Sequence, residues 1–327
     1  MILITGVTGM VGSHLADLLI KDQQILGLCR WRSSTENIKH LNLNYENKLK
    51  KSSLNIINGD ITDYKFINDL LKEYQPEEIY HLAAQSFVPE SFSSPFATMQ
   101  TNIMGTMNIL ESVKQCCPVT KTFIAGSSEQ YGTRTNQIDN DNCLNPMSPY
   151  AVSKVTCEYL AKYYDQYSKI VFTRAFNHEG PRRNRAFVTS SFARQIALME
   201  KGKQEEILYV GNLNSQRDWT DVRDMVVAYS LAMKNYENLK KQHMNIGLNI
   251  SSDTCVSVEI MLKMLLNMTT VTPKIVVAER RLRTSDVTKL HGRSSQFRTM
   301  TGWEPKIGLE ETLKDTLNYW RRKIEKE

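Results

Sequence analysis

The sequence predicts an α/β fold, a doubly wound parallel sheet with a smaller C-terminal lobe. Three observations predict it. Short apolar runs alternate with helical patterns through the first half, the order expected of βαβ units whose sheet is covered on both faces. The first apolar run, Met1 to Ile4, leads directly into Thr5-Gly6-Val7-Thr8-Gly9-Met10-Val11-Gly12 and then an amphipathic helix. No repeat, low-complexity tract or long Gly/Ser linker interrupts the chain, so a second lobe is woven from C-terminal segments rather than tethered.

Taken in order, the strands fall at residues 2–5, 24–29, 54–58, 78–82, 121–126 and 170–175, with helices at 12–24, 63–74, 98–116 and 148–168. After Phe176 the pattern loosens into Asn177-His178-Glu179-Gly180-Pro181-Arg182-Arg183-Asn184. Helices then recur near 189–201, at 256–267 and at 309–323, with a basic stretch at 279–283. The division is a Rossmann-type nucleotide-binding domain over 1–176, to which later segments can return, and mainly a substrate-binding lobe over 177–327.

Composition sets wide bounds. A chain of 327 residues, 41% hydrophobic, buries a sizeable core. Its net charge of +6 is a mild excess spread along the chain, compatible with an anionic small molecule, nucleic acid or a merely solvated surface. The cysteines, at 29, 116, 117, 143, 157 and 255, form no C-x-x-C pair and no cluster at zinc spacing. They read as reduced packing residues of a cytoplasmic protein without a metal. No export-signal pattern is present, and no apolar run reaches the ~18 residues of a membrane span.

Glycines 6, 9 and 12 let the chain turn tightly, bring backbone N–H groups to a phosphate and let the next helix pack close to the strand. The helix N-terminus beyond them faces the anion. At the end of the second strand the chain reads Cys29-Arg30-Trp31-Arg32-Ser33-Ser34. An acidic residue there would bind the ribose 2′-hydroxyl of NAD; guanidiniums and hydroxyls instead suit a 2′-phosphate, which favours NADP.

Tyr150 and Lys154 lie one turn apart on a helix face behind Ser148-Pro149. An ammonium beside a phenol favours the phenolate and so a base for an alcohol proton. Ser127 and Glu129 lie just past an apolar strand, at the edge where such sheets carry functional loops. There Ser127 would bond a reacting hydroxyl and Glu129 would move protons at neighbouring carbons; the plainer alternative is a polar turn in which Ser127 caps a helix. His81 reads as packed or cofactor-lining rather than a base, His178 as ordering the loop that carries Arg182 and Arg183, and the helix with Met261 and Met264 as core.

On these residues the sequence resembles the extended short-chain dehydrogenase/reductases, and among them the nucleotide-sugar enzymes. Thr5 to Gly12 matches the family's T-G-x-x-G-x-x-G turn, Tyr150 and Lys154 its Y-x-x-x-K pair, and Ser127 its active-site Ser/Thr. The stretches from Phe176 to Arg183, Phe187-Val188-Thr189, and Val210 to Trp219 narrow the resemblance to enzymes of GDP-mannose and its 4-keto product, above all the GDP-mannose 4,6-dehydratases. The resemblance implies catalytic Ser127, Glu129, Tyr150 and Lys154. It implies a cofactor set of Gly6, Thr8, Gly9, Met10, Val11, Gly12, Arg30, Arg32, Ser33, Asp60, Ile61, Leu82, Ala83, Ala84, Gln85, His178 and Arg183, together with Tyr150 and Lys154. Ser86, Asn177, Phe187, Val188, Arg217, Arg283 and Asp286 would then meet the GDP-linked sugar. A homodimer or homotetramer is implied in the same way, since in the dehydratases the loop after the second strand reaches a neighbouring subunit.

The chain also departs from that family. Ser127 replaces a usual threonine, Asn184 a usual glycine, and Arg283-Thr284-Ser285-Asp286 stands for Arg-Pro-Thr-Glu. Reductases of GDP-4-keto-6-deoxymannose share the Ser-Ser-Glu run, so a reductase or a GDP-sugar epimerase is the alternative; Arg182-Arg183 favours the dehydratase. A cofactor sensor without chemistry would have lost the tyrosine, lysine or hydroxyl, all intact here. No nucleic-acid motif appears, and phosphates of small ligands account for the arginines.

Overall fold

The computed structural model describes residues 1–46, 49–50, 53–241, 247–282 and 287–326. Its first half alternates strands and helices: β1 (Ile2–Thr5), α1 (Met10–Leu19), β2 (Ile25–Cys29), β3 (Leu43–Asn44), β4 (Leu54–Asn58), α2 (Tyr64–Tyr74) and β5 (Glu78–His81). There follow α3 (Val88–Ser93), α4 (Pro95–Met99), α5 (Gly105–Cys116), β6 (Lys121–Ala125), α6 (Pro149–Tyr164) and β7 (Lys169–Ala175). The second half comprises β8 (Asn177–Glu179), α7 (Val188–Glu200), β9 (Ile207–Val210), β10 (Gln216–Asp221), α8 (Val222–Lys234) and α9 (Tyr236–Lys241). It ends with β11 (Leu248–Ile250), β12 (Cys255–Ser257), α10 (Val258–Leu266), β13 (Lys274–Val277), β14 (Lys289–Leu290), α11 (Ser295–Thr301) and α12 (Leu309–Lys326).

Every residue of β1 and β2 is buried, as their unbroken apolar runs require of strands covered on both faces. They sit inside an eight-stranded parallel sheet ordered β11-β7-β6-β5-β1-β2-β4-β3, a Rossmann-type doubly wound sheet. Ile2 and Ile4 point to one face, where they join Leu15 and Leu19 of α1 and Met225 and Tyr229 of α8. Leu3 points to the other, with Ile67 and Leu71 of α2 and Ile109 and Val113 of α5. Each such aliphatic side chain contributes roughly 1.5–3 kcal/mol relative to exposure. The strand order reverses at β1, which pairs with β2 on one side and β5 on the other, and a crevice opens beyond the strands' C-terminal ends there.

A second apolar core lies among α7, α10 and α12, where Phe192, Ile196, Met261, Leu265, Leu317 and Trp320 pack together. C-terminal segments also rejoin the main sheet: β11 pairs with β7, and Phe297, Met300 and Trp303 complete the core under α8.

The helix expected at 148–168 ends at Tyr164 and that at 256–267 begins at Val258 behind β12, and three further elements differ from the sequence expectation. The helix expected at 12–24 runs from Met10 to Leu19, starting at Gly9 and ending before the polar Lys21-Asp22-Gln23 turn. The helix expected at 98–116 is interrupted by a π turn at Gln100–Met104, which turns Asn102 inward. The loosened segment after Phe176 begins with β8, parallel to β10, so the chain crosses from the main sheet into a four-stranded one. Three polar residues, Asn-His-Glu, carry no alternation from which that strand could be read.

Candidate active site

A cavity of about 960 Å³ lies at the C-terminal ends of β1, β2, β4, β5, β6 and β7, closed on the far side by residues 177–188 and parts of the second lobe. Its floor is the glycine turn. Gly6 has φ +70°, and a Cβ on it would sit 2.8 Å from the Ala83 nitrogen; one on Gly12 would sit 2.3 Å from the Gly6 carbonyl oxygen. No side chain fits at either position. Thr5 fixes the opposite wall by accepting hydrogen bonds from the Leu82 and Ala83 N–H groups, 3.1 Å each. Gly6, Thr8, Gly9, Met10, Val11, Gly12, Leu82, Ala83, Ala84, Gln85 and Ser86 all line the cavity, with Asp60 and Ile61 from the end of β4.

Arg30, at the end of β2, and Ser33 line it as well. Arg32 does not. The Ser33 N–H donates to the Arg30 carbonyl at 2.8 Å, so the ends of this turn face the cavity and its tip points outward. The Arg32 guanidinium lies 4.7 Å from the ring centroid of Trp31, which is 75% exposed. Asn37 ties the loop down, donating to the Thr8 and Arg182 carbonyls.

The residues expected to handle protons come from the turn after β6 and from α6. Gly126 follows β6 and donates to the Thr173 carbonyl, which a Cβ at 126 would approach to 2.4 Å. Ser127 then caps the single turn Ser128–Tyr131, its Oγ accepting from the Glu129 N–H at 3.2 Å. It also lines the cavity beside Glu129, Tyr150 and Lys154, so capping and cavity-facing roles coexist. On α6, the Ser148 hydroxyl accepts from the Ala151 N–H and Pro149 opens the first turn, which starts the helix so that Tyr150 faces inward.

Electrostatics at this pair differ from the sequence expectation. Burial pushes the Tyr150 phenol up to about 12; the Ser127 hydroxyl pulls it down, the Glu129 carboxylate adds to the rise, and Arg183 opposes it. Burial also lowers Lys154, whose Nζ donates to the Ala125 carbonyl at 2.8 Å. Desolvation in the closed site thus outweighs the phenolate stabilisation expected from an ammonium one helical turn away.

Asn177, His178, Glu179, Arg183, Phe187 and Val188 form the far wall. His178 meets the Phe176 carbonyl at 3.0 Å, and burial lowers it to about 4, so it is neutral. Arg182 and Arg183 part company. Arg182, at φ +70°, pairs with Asp17 of α1 at 2.7 Å, whereas the Arg183 guanidinium lies 3.6 Å from the Phe187 ring centroid and 3.7 Å from Glu179. Arg217 lines the cavity from β10. Arg283 and Asp286 lie outside the described residues.

Several residues here escaped the sequence reading. Asn102 accepts from the Gln85 N–H and donates to the Gln85 carbonyl and the Ser153 hydroxyl, joining the loop after β5 to α6. Its signal is a π turn, invisible to a period of 3.6. Glu179, only 2% exposed, has its carboxyl pushed up by burial and accepts from the Thr189 hydroxyl. Phe87 meets Phe187 edge-on, and Arg281 bonds the Ser191 hydroxyl at 2.7 Å. His81 packs between the Thr5 and Thr106 hydroxyls, held neutral by burial. No His/Cys/Asp/Glu cluster suited to a metal occurs among the described residues.

Residues 3–316 match the family described as GDP-mannose 4,6 dehydratase. The chain is similar to GDP-mannose 4,6 dehydratase 1 of Arabidopsis thaliana, at 31% identity covering 95% of this chain and 87% of that protein. It is also similar to GDP-6-deoxy-D-mannose reductase of Pseudomonas aeruginosa, at 30% identity covering 82% and 88%. Among solved structures, RMD from Pseudomonas aeruginosa complexed with NADPH superimposes with a TM-score of 0.80 at 27% identity, over 98% of this chain and 99% of that one.

Proposed function

The chain belongs to the GDP-mannose 4,6-dehydratase family, and we propose that it converts a GDP-linked hexose to its 4-keto-6-deoxy derivative with loss of water, using NADP. The cavity fits that cofactor. Gly9 offers no side-chain cap to α1 and no acidic residue occupies the helix's first turn, which leaves its N–H groups for a pyrophosphate. Arg30 and Ser33 would hold the 2′-phosphate, and Asp60, Ile61 and Leu82 to Gln85 would border the adenine and the nicotinamide ribose. His178 and Arg183 face the same space.

When bound, NADP⁺ supplies the acceptor that takes hydride from C4 of the hexose and returns it at C6. Tyr150 accepts the C4 hydroxyl proton, with Ser127 bonding the same oxygen and Lys154 holding positive charge nearby. The 4-ketone acidifies C5. Glu129 removes the C5 proton and passes it to the C6 hydroxyl, which leaves as water, and the proton taken by Tyr150 then goes to C5. Asn177, Phe187, Val188, Ser86 and Arg217 hold the nucleotide sugar, whose unreactive half lends binding energy to orientation.

The family match over residues 3–316 carries this reading, and Glu129, beside Ser127, Tyr150 and Lys154 in one cavity, supplies the carboxylate that elimination needs. The test is mass spectrometry of the protein incubated with GDP-mannose and other nucleotide sugars, catalytic NADP⁺ and no reductant. Loss of one water without net change in nicotinamide absorbance is expected. Unchanged sugars, but consumption of a GDP-4-keto-6-deoxy sugar with NADPH, would move the assignment to the reductase.

A homodimer completes the proposal. Phe96, Met104 and Met107 on α4 to α5 and Val152, Tyr159 and Tyr163 on adjacent α6 are exposed in helical register. Two copies of that face would bury each other, and the exposed tip at Trp31 and Arg32 offers a second contact for a homotetramer. Light scattering with Tyr159→Lys tests the first contact. A cytoplasmic location is part of the same proposal, supported by the six free cysteines; no helix among the described residues is long and apolar enough to cross a membrane.

A further inference from the structure

Helix α6 meets the end of β6 and the turn after it through three of its side chains, and one of them has no part in the chemistry above. Tyr150, Lys154 and Glu158 follow one another at four-residue spacing, on one helix face. Tyr150 faces Ser127 and Lys154 donates to the Ala125 carbonyl. Glu158 accepts at 2.7 Å from the Nε2 of Gln130. The other end of that carboxamide, Oε1, accepts from the Ser127 N–H at 3.0 Å.

Gln130 is 0% exposed, and its two bonds fix which way its amide points, since Glu158 requires a donor and the Ser127 N–H an acceptor. Glu158 is anchored in turn. Arg174 donates to it from Nε at 2.8 Å and from Nη2 at 2.6 Å, and the Gly247 N–H adds a bond at 3.1 Å. Arg174 Nη1 donates to the Tyr131 hydroxyl at 2.6 Å, which donates to Asn249 at 2.7 Å. A buried ion pair of this kind is weak evidence for stability, because desolvation offsets its attraction. Its geometric effect is definite: it leaves Gln130 one place to sit.

We propose that Gln130 and Glu158 are positioning residues of the active site, holding the Ser127 backbone so that the Ser127 hydroxyl and the Glu129 carboxylate stay aligned with Tyr150. This rests on the dehydratase reading for the roles of Ser127 and Glu129, though the contacts do not. Ser127 Oγ accepts from the Glu129 N–H, so a shift of the Ser127 main chain moves both proton-handling groups.

Two substitutions test it on the NADP-loaded enzyme. Gln130→Met keeps the volume and removes both bonds; kcat should fall about 10- to 100-fold with KM within about threefold, the cost of a small misalignment. Gln130→Glu restores the pattern only when protonated, its O–H donating to Glu158 and its carbonyl accepting from Ser127. Glu158 faces it, with Arg174 on the same carboxylate oxygen, Tyr131 bonded to Arg174, and Lys162 3.6 Å from Glu158. The added carboxyl beside Glu158 should make kcat recover as pH falls, opposite to the wild type. Amide hydrogen exchange over 126–131 should be faster in Gln130→Met than in wild type, a readout that stands even if GDP-mannose is not turned over. An unchanged kcat in Gln130→Met, a loss that tracks the melting temperature alone, a wild-type pH profile in Gln130→Glu, or unchanged exchange would overturn the proposal. Failure of the wild type to dehydrate GDP-mannose would overturn the functional reading instead.

Discussion

Phe87, in the loop after β5, and Phe187, just before α7, meet edge-on with ring centroids 5.3 Å apart and an interplanar angle of 67°. The pair bridges the main sheet's loops and the second lobe, and both rings line the cavity. Arg183 lies over the same Phe187 ring. Each contact contributes roughly 0.5–1.5 kcal/mol. Phe187→Leu keeps most of the burial and loses both, so KM for the nucleotide sugar should rise about tenfold, while NADP, which the ring reaches only through Arg183, should weaken less. Titration of each ligand separately checks this; equal weakening of both would show that Phe187 supports the whole cavity rather than its sugar end.

The pH dependence should follow Tyr150. Its phenol, pushed up to about 12 by burial in the free chain, must lose its proton to act as a base, so kcat/KM should rise with pH through the neutral and mildly alkaline range. The Ser127 hydroxyl favours the phenolate. Removing it in Ser127→Ala raises the tyrosine further, which moves the rising limb to higher pH and lowers kcat/KM roughly 100-fold at neutral pH. A profile unchanged in position in Ser127→Ala would exclude a Ser127–Tyr150 interaction in the working enzyme.

Much of this was legible in the sequence, because the decisive residues sit at positions that local rules identify. The β1 run and Gly6, Gly9 and Gly12 announce a strand, a turn and a helix without further context, and Tyr150 and Lys154 share a helix face by spacing alone. Arg32 lies against Trp31 instead of lining the cavity because turn geometry, not residue type, decides which side chain faces inward. Glu179 and Asn102 went unread because their roles come from packing: one is a carboxyl on a strand too short and polar to recognise, the other depends on one irregular helical turn. The Tyr150 environment was misjudged for a related reason, since burial is a property of the assembled lobes and a sequence shows only the neighbouring ammonium.

Acid should loosen the loop that carries Arg182 and Arg183. His14 on α1 meets the Pro181 carbonyl at 3.2 Å, and burial and Arg182 lower it from 6.5 to about 4. A histidine with a folded pKa below its unfolded one binds fewer protons when folded, so its contribution is complete above about pH 6.5 and is lost as pH falls towards 4. The shift corresponds to roughly 3 kcal/mol. His14→Gln retains a donor for Pro181 and does not titrate, so its stability, measured by urea unfolding between pH 4 and 7, should vary less with pH than the wild type's. An equal slope in both proteins would place the acid sensitivity elsewhere.

Glu129→Gln separates elimination from oxidation. Glu129 shares its turn with Ser127, and glutamine preserves its size and the N–H that bonds the Ser127 hydroxyl. The carboxamide cannot take the C5 proton, so turnover to the 4-keto-6-deoxy product should fall at least about 100-fold, the usual worth of a positioned general base. Removal of the C4 hydroxyl proton, the role proposed for Tyr150, should remain, and loss of one carboxylate charge beside the phenol should ease it. The variant mixed with GDP-mannose and stoichiometric NADP⁺ should therefore show nicotinamide absorbance near 340 nm that builds and persists, where the wild type shows none at steady state. That wavelength reports reduced nicotinamide directly, whatever the product's fate. Retention of most of the wild-type dehydration rate would assign the C5 proton to another group, and Glu179 across the cavity, with its carboxyl raised by burial, would be the next residue to replace.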